Sequence, residues 1–564
     1  MKGEQRGTTT SNSSTLAKFS VNFDGDGPFG VRTSLRFGDL TYAATVTFAA
    51  SFHPTADNTF SERETMSSDS APTFDSAQPA ASASPAATVS AASSAPHPDR
   101  GDPRLPHLRN ATGFVEYMKS GWATPDRTPD TVPGIAAATA AHRARLSPAF
   151  PGRTIVVAGG VAPVRVNDNY YGFRPDSSFF WLSGCSAEDA VLVMSPTAGG
   201  HEATLFIPAP AYPGEADFFA NAAHGELWVG SAPGMPEWTA ALQIETRPLS
   251  ELETALNRAS DILLTGSLHG AHRLLRDIPV SQDLGRVLSE IRMIKDEWEI
   301  AELRGAVNHT IEGFKAVARE IPQAIQFGGE RWLQGTFDRY ARTVGNGTGY
   351  TTIVGSGKNA PVLHWVRCDG PVNPDAAVLL DMGVEARSLY TADVTRTLPA
   401  SGTFTTAQRQ AHDLVEKAHR AGLAAVGPGK IFSDFHLAAL EVIATGLHDW
   451  GMLPVSVDEA LSAQGQHHRR YIVCGIGHHL GLDVHDCAQS SYSAYQSGEL
   501  QPGMVMAVEP GLYFHEWDLT VPPELRGLGV RIEDNVLVTP TGHEVLSDAL
   551  PITADGIEGW MRAL

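Results

Sequence analysis

Four carboxylates and a histidine stand in stretches whose neighbours are apolar. Asp381 ends the run "AVLLD", and Asp393 follows twelve positions later, after "VEARSLYTA". Glu509 ends "GMVMAVE" just before a Pro-Gly turn. Glu533 lies in "GVRIEDNVLVT", where Val530, Ile532, Val536 and Val538 alternate like a strand packed on a core, while Arg531 and Glu533 share the other face. Burying an ionised carboxylate costs several kcal/mol unless a cation or a set of donors compensates. His478 and His485 sit seven residues apart around the Gly-rich turn of "GHHLGLDVHD". Two antiparallel strands with a short connection would set Asp381 and Asp393 side by side. Like charges at that distance repel, and a shared metal removes the repulsion. Four carboxylates carry about −4 and two divalent ions about +4, and such sites activate water at neutral pH. One nitrogen among oxygens points to Mn2+, Co2+, Fe2+ or Zn2+ rather than Ca2+, and affinity order alone does not choose among them; Mn2+ is the expectation. Singly, an Asp at a strand end reads as a turn former and a buried His as a hydrogen-bonded core residue. The set within one domain argues for chemistry.

Positioning such a set needs a scaffold. In "EIRMIKDEWEIAELRGAVNHTIEGFKAVARE" the residues Ile300, Leu303, Val307, Ile311 and Phe314 recur at three and four positions, which predicts a long amphipathic helix opening a second domain. Upstream, "TIVVAGG", "DSSFFWLSG" and "DAVLVMSP" read as strands between Gly, Pro and Asp turns, with helical stretches near 237–258. The expected organisation is α/β: a first domain over 106–285 and a second over 286–564. Residues 1–105 are dominated by Ser, Thr, Ala, Pro and Asp, with "SAQPAASASPAATVSAASSAPHPD" as the extreme. Such a segment buries too little apolar surface to offset its ordering entropy and is expected to be disordered. Met66 is an alternative start to Met1. No short-period repeat is visible.

Composition narrows the function. The chain has 564 residues, with 42 basic against 63 acidic side chains and a net charge of −21. That balance argues against nucleic acid or an anionic membrane as main partner. No apolar run approaches the length of a span and no basic start precedes an apolar segment, so a cytoplasmic protein is expected. Cys185, Cys368, Cys474 and Cys487 show no C-x-x-C spacing, so neither a disulfide framework nor a zinc knuckle is indicated.

The motifs "LHWVRCDGP", "LLDMGVEARSLYTADVTRTLP", "GHHLGLDVHDC", "AVEPGLYF" and "GVRIEDNVLVT" resemble, in this order, the aminopeptidase P (Xaa-Pro aminopeptidase) branch of the pita-bread metallopeptidases. The likeness runs over roughly 110–560 and is strongest after 290. It implies a creatinase-like α/β domain followed by a pita-bread catalytic domain. It places five metal ligands on Asp381, Asp393, His478, Glu509 and Glu533, with Asp393 and Glu533 shared by two ions. It also implies substrate-contacting and proton-handling roles for His364 and His485, and a site lined by Tyr350, Tyr513 and Arg531. His467, His468 and His479 have no such support. One departure stands out: where the family has a histidine four residues before the ligand histidine, this chain has Cys474, which bears on the substrate pocket rather than on the metals. The implied activity is release of the residue before a proline at the second position of a peptide, by a homodimer or homotetramer. Two other readings stay open: a prolidase confined to Xaa-Pro dipeptides, and a metal-free peptide-binding or creatinase-like member of the fold.

Overall fold

The computed structural model describes residues 110–564 apart from 168, 223 and 269–272, together with one hairpin nearer the N-terminus. In that hairpin Arg32–Phe37 pairs antiparallel with Leu40–Thr45. The rest of the extension read as disordered, including its Ser/Ala/Pro-rich stretch, lies outside the described residues. The hairpin was not anticipated, although a two-residue Gly-Asp link between β-prone runs is a recognised turn signal.

In the first α/β region, helix α1 (Ile135–Leu146) precedes strand β1 (Thr154–Ala158). The stretch "DSSFFWLSG", read as a strand, is instead helix α2 (Ser177–Ser183), whose first turn is capped by Asp176 accepting from the Ser178 and Phe179 N–H groups; it leads into β2 (Val191–Thr197) and β3 (Gly200–Ile207). Strands β4 (Glu245–Pro248) and β5 (Ile262–Gly266) complete a five-stranded sheet in the order β4-β3-β2-β1-β5. Every residue of β1 is buried, as expected for a central strand covered on both faces.

Helix α3 (Gln282–Arg292) leads to α4 (Glu297–Gln326), the long helix predicted from the three-and-four spacing, which opens with a capping box between Asp296 and Glu299. It packs against α5 (Gly329–Val344). Strands β6 (Ile353–Ser356), β7 (Ala377–Met382) and β8 (Val394–Pro399) form one antiparallel sheet. Helices α6 (Thr406–Ala424) and α7 (Phe432–Asp449) follow. Then come β9 (Val505–Val508), β10 (Gly511–Phe514), β11 (Leu528–Arg531), β12 (Asp534–Thr539) and β13 (Gly542–Val545), arranged as a β9-β12-β13 sheet and a β10-β11 ribbon.

Strand periodicity explains what faces inward. On β7, Val378, Leu380 and Met382 pack in the core under α4 and α5, while Ala377 and Leu379 join the core under α6 and α7. Asp381 continues this second face. On β8, Val394 and Leu398 go to the first core, which leaves Asp393, Thr395 and Thr397 on the opposite face. A polar patch is thus built between two apolar layers. No helix among the described residues is long and apolar enough to cross a membrane, and the four cysteines are free.

Candidate metal centre

Strands β7 and β8 pair antiparallel with Asp381 opposite Thr395, which brings Asp381 and Asp393 to neighbouring rows as the sequence predicted. The tight approach depends on Gly383: a Cβ there would meet the Ala392 carbonyl oxygen at 1.8 Å. Glu533 pairs with Thr395 across the gap between the two sheets, donating its N–H to the Thr395 carbonyl at 3.1 Å. Glu509 follows β9 directly. His478 lies on an irregular stretch beside β9, where Ala507 N–H donates to the His478 carbonyl at 2.9 Å and Glu509 N–H to the Ile476 carbonyl at 2.8 Å.

These side chains meet. His478 Nε2 lies 3.2 Å from an Asp393 carboxylate oxygen and 3.6 Å from a Glu509 oxygen. Asp393, His478 and Glu533 each offer one ligand atom within 4.8 Å of the others. Tyr350 donates its hydroxyl to Asp381 at 2.6 Å, and Arg531 pairs with the same carboxylate. Arg531 also donates to the Tyr513 hydroxyl at 2.9 Å and to Thr395 Oγ1 at 3.1 Å. All ten residues singled out from the sequence belong to this domain, but in two zones. Asp381, Asp393, His478, Glu533, Tyr513 and Arg531 are buried, with Glu509 and Tyr350 at the edge. His364 and His485 are exposed, and the His485 ring stands 4.4 Å from the His478 ring.

The charge of this cluster shows what it could hold. Burial, followed by the charges of Asp393, Glu509 and Asp381, holds Glu533 well above the usual carboxylate range. Burial raises Glu509 to about 7 against the pull of His478 and Arg531, and raises Asp381 despite Arg531. For Asp393 burial also favours the neutral acid, but pairing with His478 outweighs it and the pKa falls below its ordinary value. Burial disfavours charge on His478, yet Asp393 and Glu509 raise it to about 9. Thr395 donates to one oxygen of Glu533 at 2.6 Å, while the other is buried with no partner at all. An orphaned carboxylate oxygen facing three more acids and an imidazole fits a bound cation and little else.

The comparisons agree. Residues 301–540 match the family model of Metallopeptidase family M24, and residues 139–262 match that of the aminopeptidase P N-terminal domain. The chain is 44% identical over 456 residues to Xaa-Pro aminopeptidase 2 of Streptomyces coelicolor, covering 79% of this chain and 95% of that one. The chain belongs to the aminopeptidase P family. Xaa-Pro aminopeptidase of Escherichia coli is 31% identical over 73% of this chain and 94% of its own length. The solved low-pH form of aminopeptidase P from E. coli superposes with a TM-score of 0.66 at 28% identity, covering 76% of this chain and 98% of that one. The chain has the N-terminal domain and the pita-bread architecture of that family, which implies divalent metal ions.

Several residues around this centre gave no signal in sequence. Asp534, next to Glu533, points the other way, toward α6. Arg396 donates to it at 2.6 Å, Ser547 at 2.6 Å, and His419 Nε2 lies 3.2 Å away. Burial opposes charge on Asp534, but Arg396 prevails and holds it well below the carboxylate range. His479, read as an ordinary polar residue, is buried and stacked on Phe432 at 4.8 Å.

Asp486, directly after His485, is buried between Arg292 at 2.5 Å and Lys295 at 3.2 Å, both also buried. This ion cluster ties the α3–α4 junction to the loop that presents His485. Burial works against its charge, but Arg292 and Lys295 lower the Asp486 pKa to about 2. A depressed carboxylate pKa contributes stability above the unfolded value of about 3.9 and loses it as pH falls through the folded one. Asp486→Asn should therefore cost about 3–5 kcal/mol near neutral pH by leaving buried Lys295 unpaired and Arg292 with only Asp483 at 3.2 Å. It should also flatten the acid destabilisation between about pH 4 and pH 2. Thermal midpoints of both proteins across that range check this; parallel pH curves would refute it.

Proposed function

We propose that this chain is a metal-dependent Xaa-Pro aminopeptidase whose two divalent ions are held by Asp381, Asp393, His478, Glu509 and Glu533. The observation that carries this is the buried, partnerless oxygen of Glu533 amid three further carboxylates and His478. Ions held there supply activation of water and polarisation of the scissile carbonyl at neutral pH. Arg531 fixes the orientation of Asp381 and, with Tyr513, lines the wall of the site. Exposed His364 and His485 are assigned to the peptide, one to donate to the carbonyl oxygen and the other to handle a proton on the proline side; their exposure and the contact of the His485 ring with His478 at 4.4 Å support this. The names of the relatives support the same substrate class. Mn2+, a homodimer or homotetramer, a cytoplasmic location and domain limits near 106, 285 and 286 complete the reading.

The test is product identification. Metal-reconstituted protein incubated with Xaa-Pro and Xaa-Pro-Yaa peptides should release Xaa from the tripeptide. Cleavage of the dipeptide alone would make it a prolidase, and no cleavage with no bound metal would place it among the metal-free members.

Cys474 tests the pocket. It is half-buried, and burial, then Glu509, raise its pKa to about 11, so the thiol is neutral at working pH. Cys474→His restores the family's residue without touching a proposed ligand. We expect a changed KM or kcat with metal content intact, read by steady-state kinetics and elemental analysis. Loss of a metal ion would place position 474 among the ligands.

A further inference from the structure

We propose that Asn535 is a positioning residue for the metal centre, holding the backbone of Asp393 in fixed relation to Glu533. The inference rests on the ligand assignment above. Asn535 is completely buried. Its side-chain oxygen accepts the Asp393 N–H at 3.0 Å, and its amide nitrogen donates to the Asp393 carbonyl. One carboxamide therefore satisfies both backbone groups of a residue 142 positions away. The location makes this more than a filled hydrogen-bond requirement. Glu533 lies two residues before Asn535. Ala507 is the cross-strand partner of Asn535; Glu509 lies two residues beyond it, and the Ala507 N–H holds the His478 carbonyl. Asn535 is thus the point at which the segments carrying four of the five ligands meet.

Its own backbone is anchored, with its N–H donating to Ser547 Oγ at 3.2 Å and its carbonyl accepting from Leu546 at 2.8 Å. The clamp consequently transmits a fixed position to Asp393. No other small side chain does the same. Aspartate cannot donate, so it would set a carboxylate against the Asp393 carbonyl and add a charge beside four others. Serine can satisfy only one of the two groups.

The test compares wild type, Asn535→Asp and Asn535→Ser as full chains stripped of metal. Mn2+ is titrated by calorimetry, bound ions are counted by elemental analysis, and thermal midpoints are taken with and without Mn2+. Residues that orient metal ligands typically contribute ten- to a hundredfold in affinity. We expect at least tenfold weaker binding of one ion, most severe for Asn535→Asp, and a smaller Mn2+-induced rise in midpoint than in wild type. A merely structural role would lower the metal-free midpoint and leave that rise unchanged. If the Asp variant does not fold, the uncharged Ser variant answers the question. Variant affinities within twofold of wild type overturn the inference alone. A wild-type chain that takes up no pair of ions overturns the ligand assignment, and the inference with it.

Discussion

Glu533→Gln should lower kcat/KM by at least about a hundredfold, because residues that only orient ligands already contribute ten- to a hundredfold and Glu533 is assigned as a ligand itself. The change is nearly isosteric. The oxygen that accepts from Thr395 can be kept, while the partnerless oxygen becomes an amide nitrogen that cannot coordinate a cation. Bound metal should fall below the wild-type count. The metal-free protein should behave in the opposite sense: its buried cluster loses one of four acids whose charge burial opposes, so its thermal midpoint should stay level or rise. That pairing of lost activity with undiminished metal-free stability separates a ligand from a core residue. Wild-type turnover in the variant would rule out the site as drawn. A sharp fall in metal-free stability would make Glu533 a structural residue.

Much of this arrangement was legible because each proposed ligand breaks a pattern. Asp381 and Asp393 bracket a short antiparallel connection, and a strand forms where the apolar run Ala377–Leu380 leads into Asp381. The helix at Glu297–Gln326 follows from its apolar spacing and its capping box. Glu533 was conspicuous as a carboxylate in an apolar strand. Its neighbours Asp534 and Asn535 are equally polar in the same strand, and Arg396 interrupts "VTRTLP" in the same manner. These four residues are one buried construction, but their partners are set by register between strands about 140 positions apart, for which local pattern carries no information. The division of the histidines was hidden for a related reason. His364, His478, His479 and His485 are alike as letters, and only tertiary packing buries 478 and 479 while leaving 364 and 485 exposed. The Arg292–Lys295–Asp486 cluster joins segments that read separately as a helix end and a loop.

Substrate choice is the remaining consequence of this geometry. An Xaa-Pro bond has no N–H and its ring fixes φ, so a peptidase that grips an extended backbone through that N–H binds it poorly. A dedicated site must use other handles. On the proposed assignment they are a wall made by Tyr513 and Arg531, both buried and bonded to each other at 2.9 Å, together with the exposed His364 and His485. Ions held at this centre would accept a free N-terminal amine as a donor but not an acetylated nitrogen, whose lone pair is delocalised into the amide. A flexible alanine would have to be ordered against that wall on binding, whereas proline arrives with its φ already set. Replacing Pro by Ala in Xaa-Pro-Yaa should therefore lower kcat/KM by well over tenfold, which is more than about 1.4 kcal/mol of transition-state stabilisation. N-acetylation should abolish cleavage. Steady-state kinetics on Ala-Pro-Ala, Ala-Ala-Ala and N-acetyl-Ala-Pro-Ala decide it: equal rates on the first two, or turnover of the third, would show that neither the proline ring nor the free amine is what this site reads.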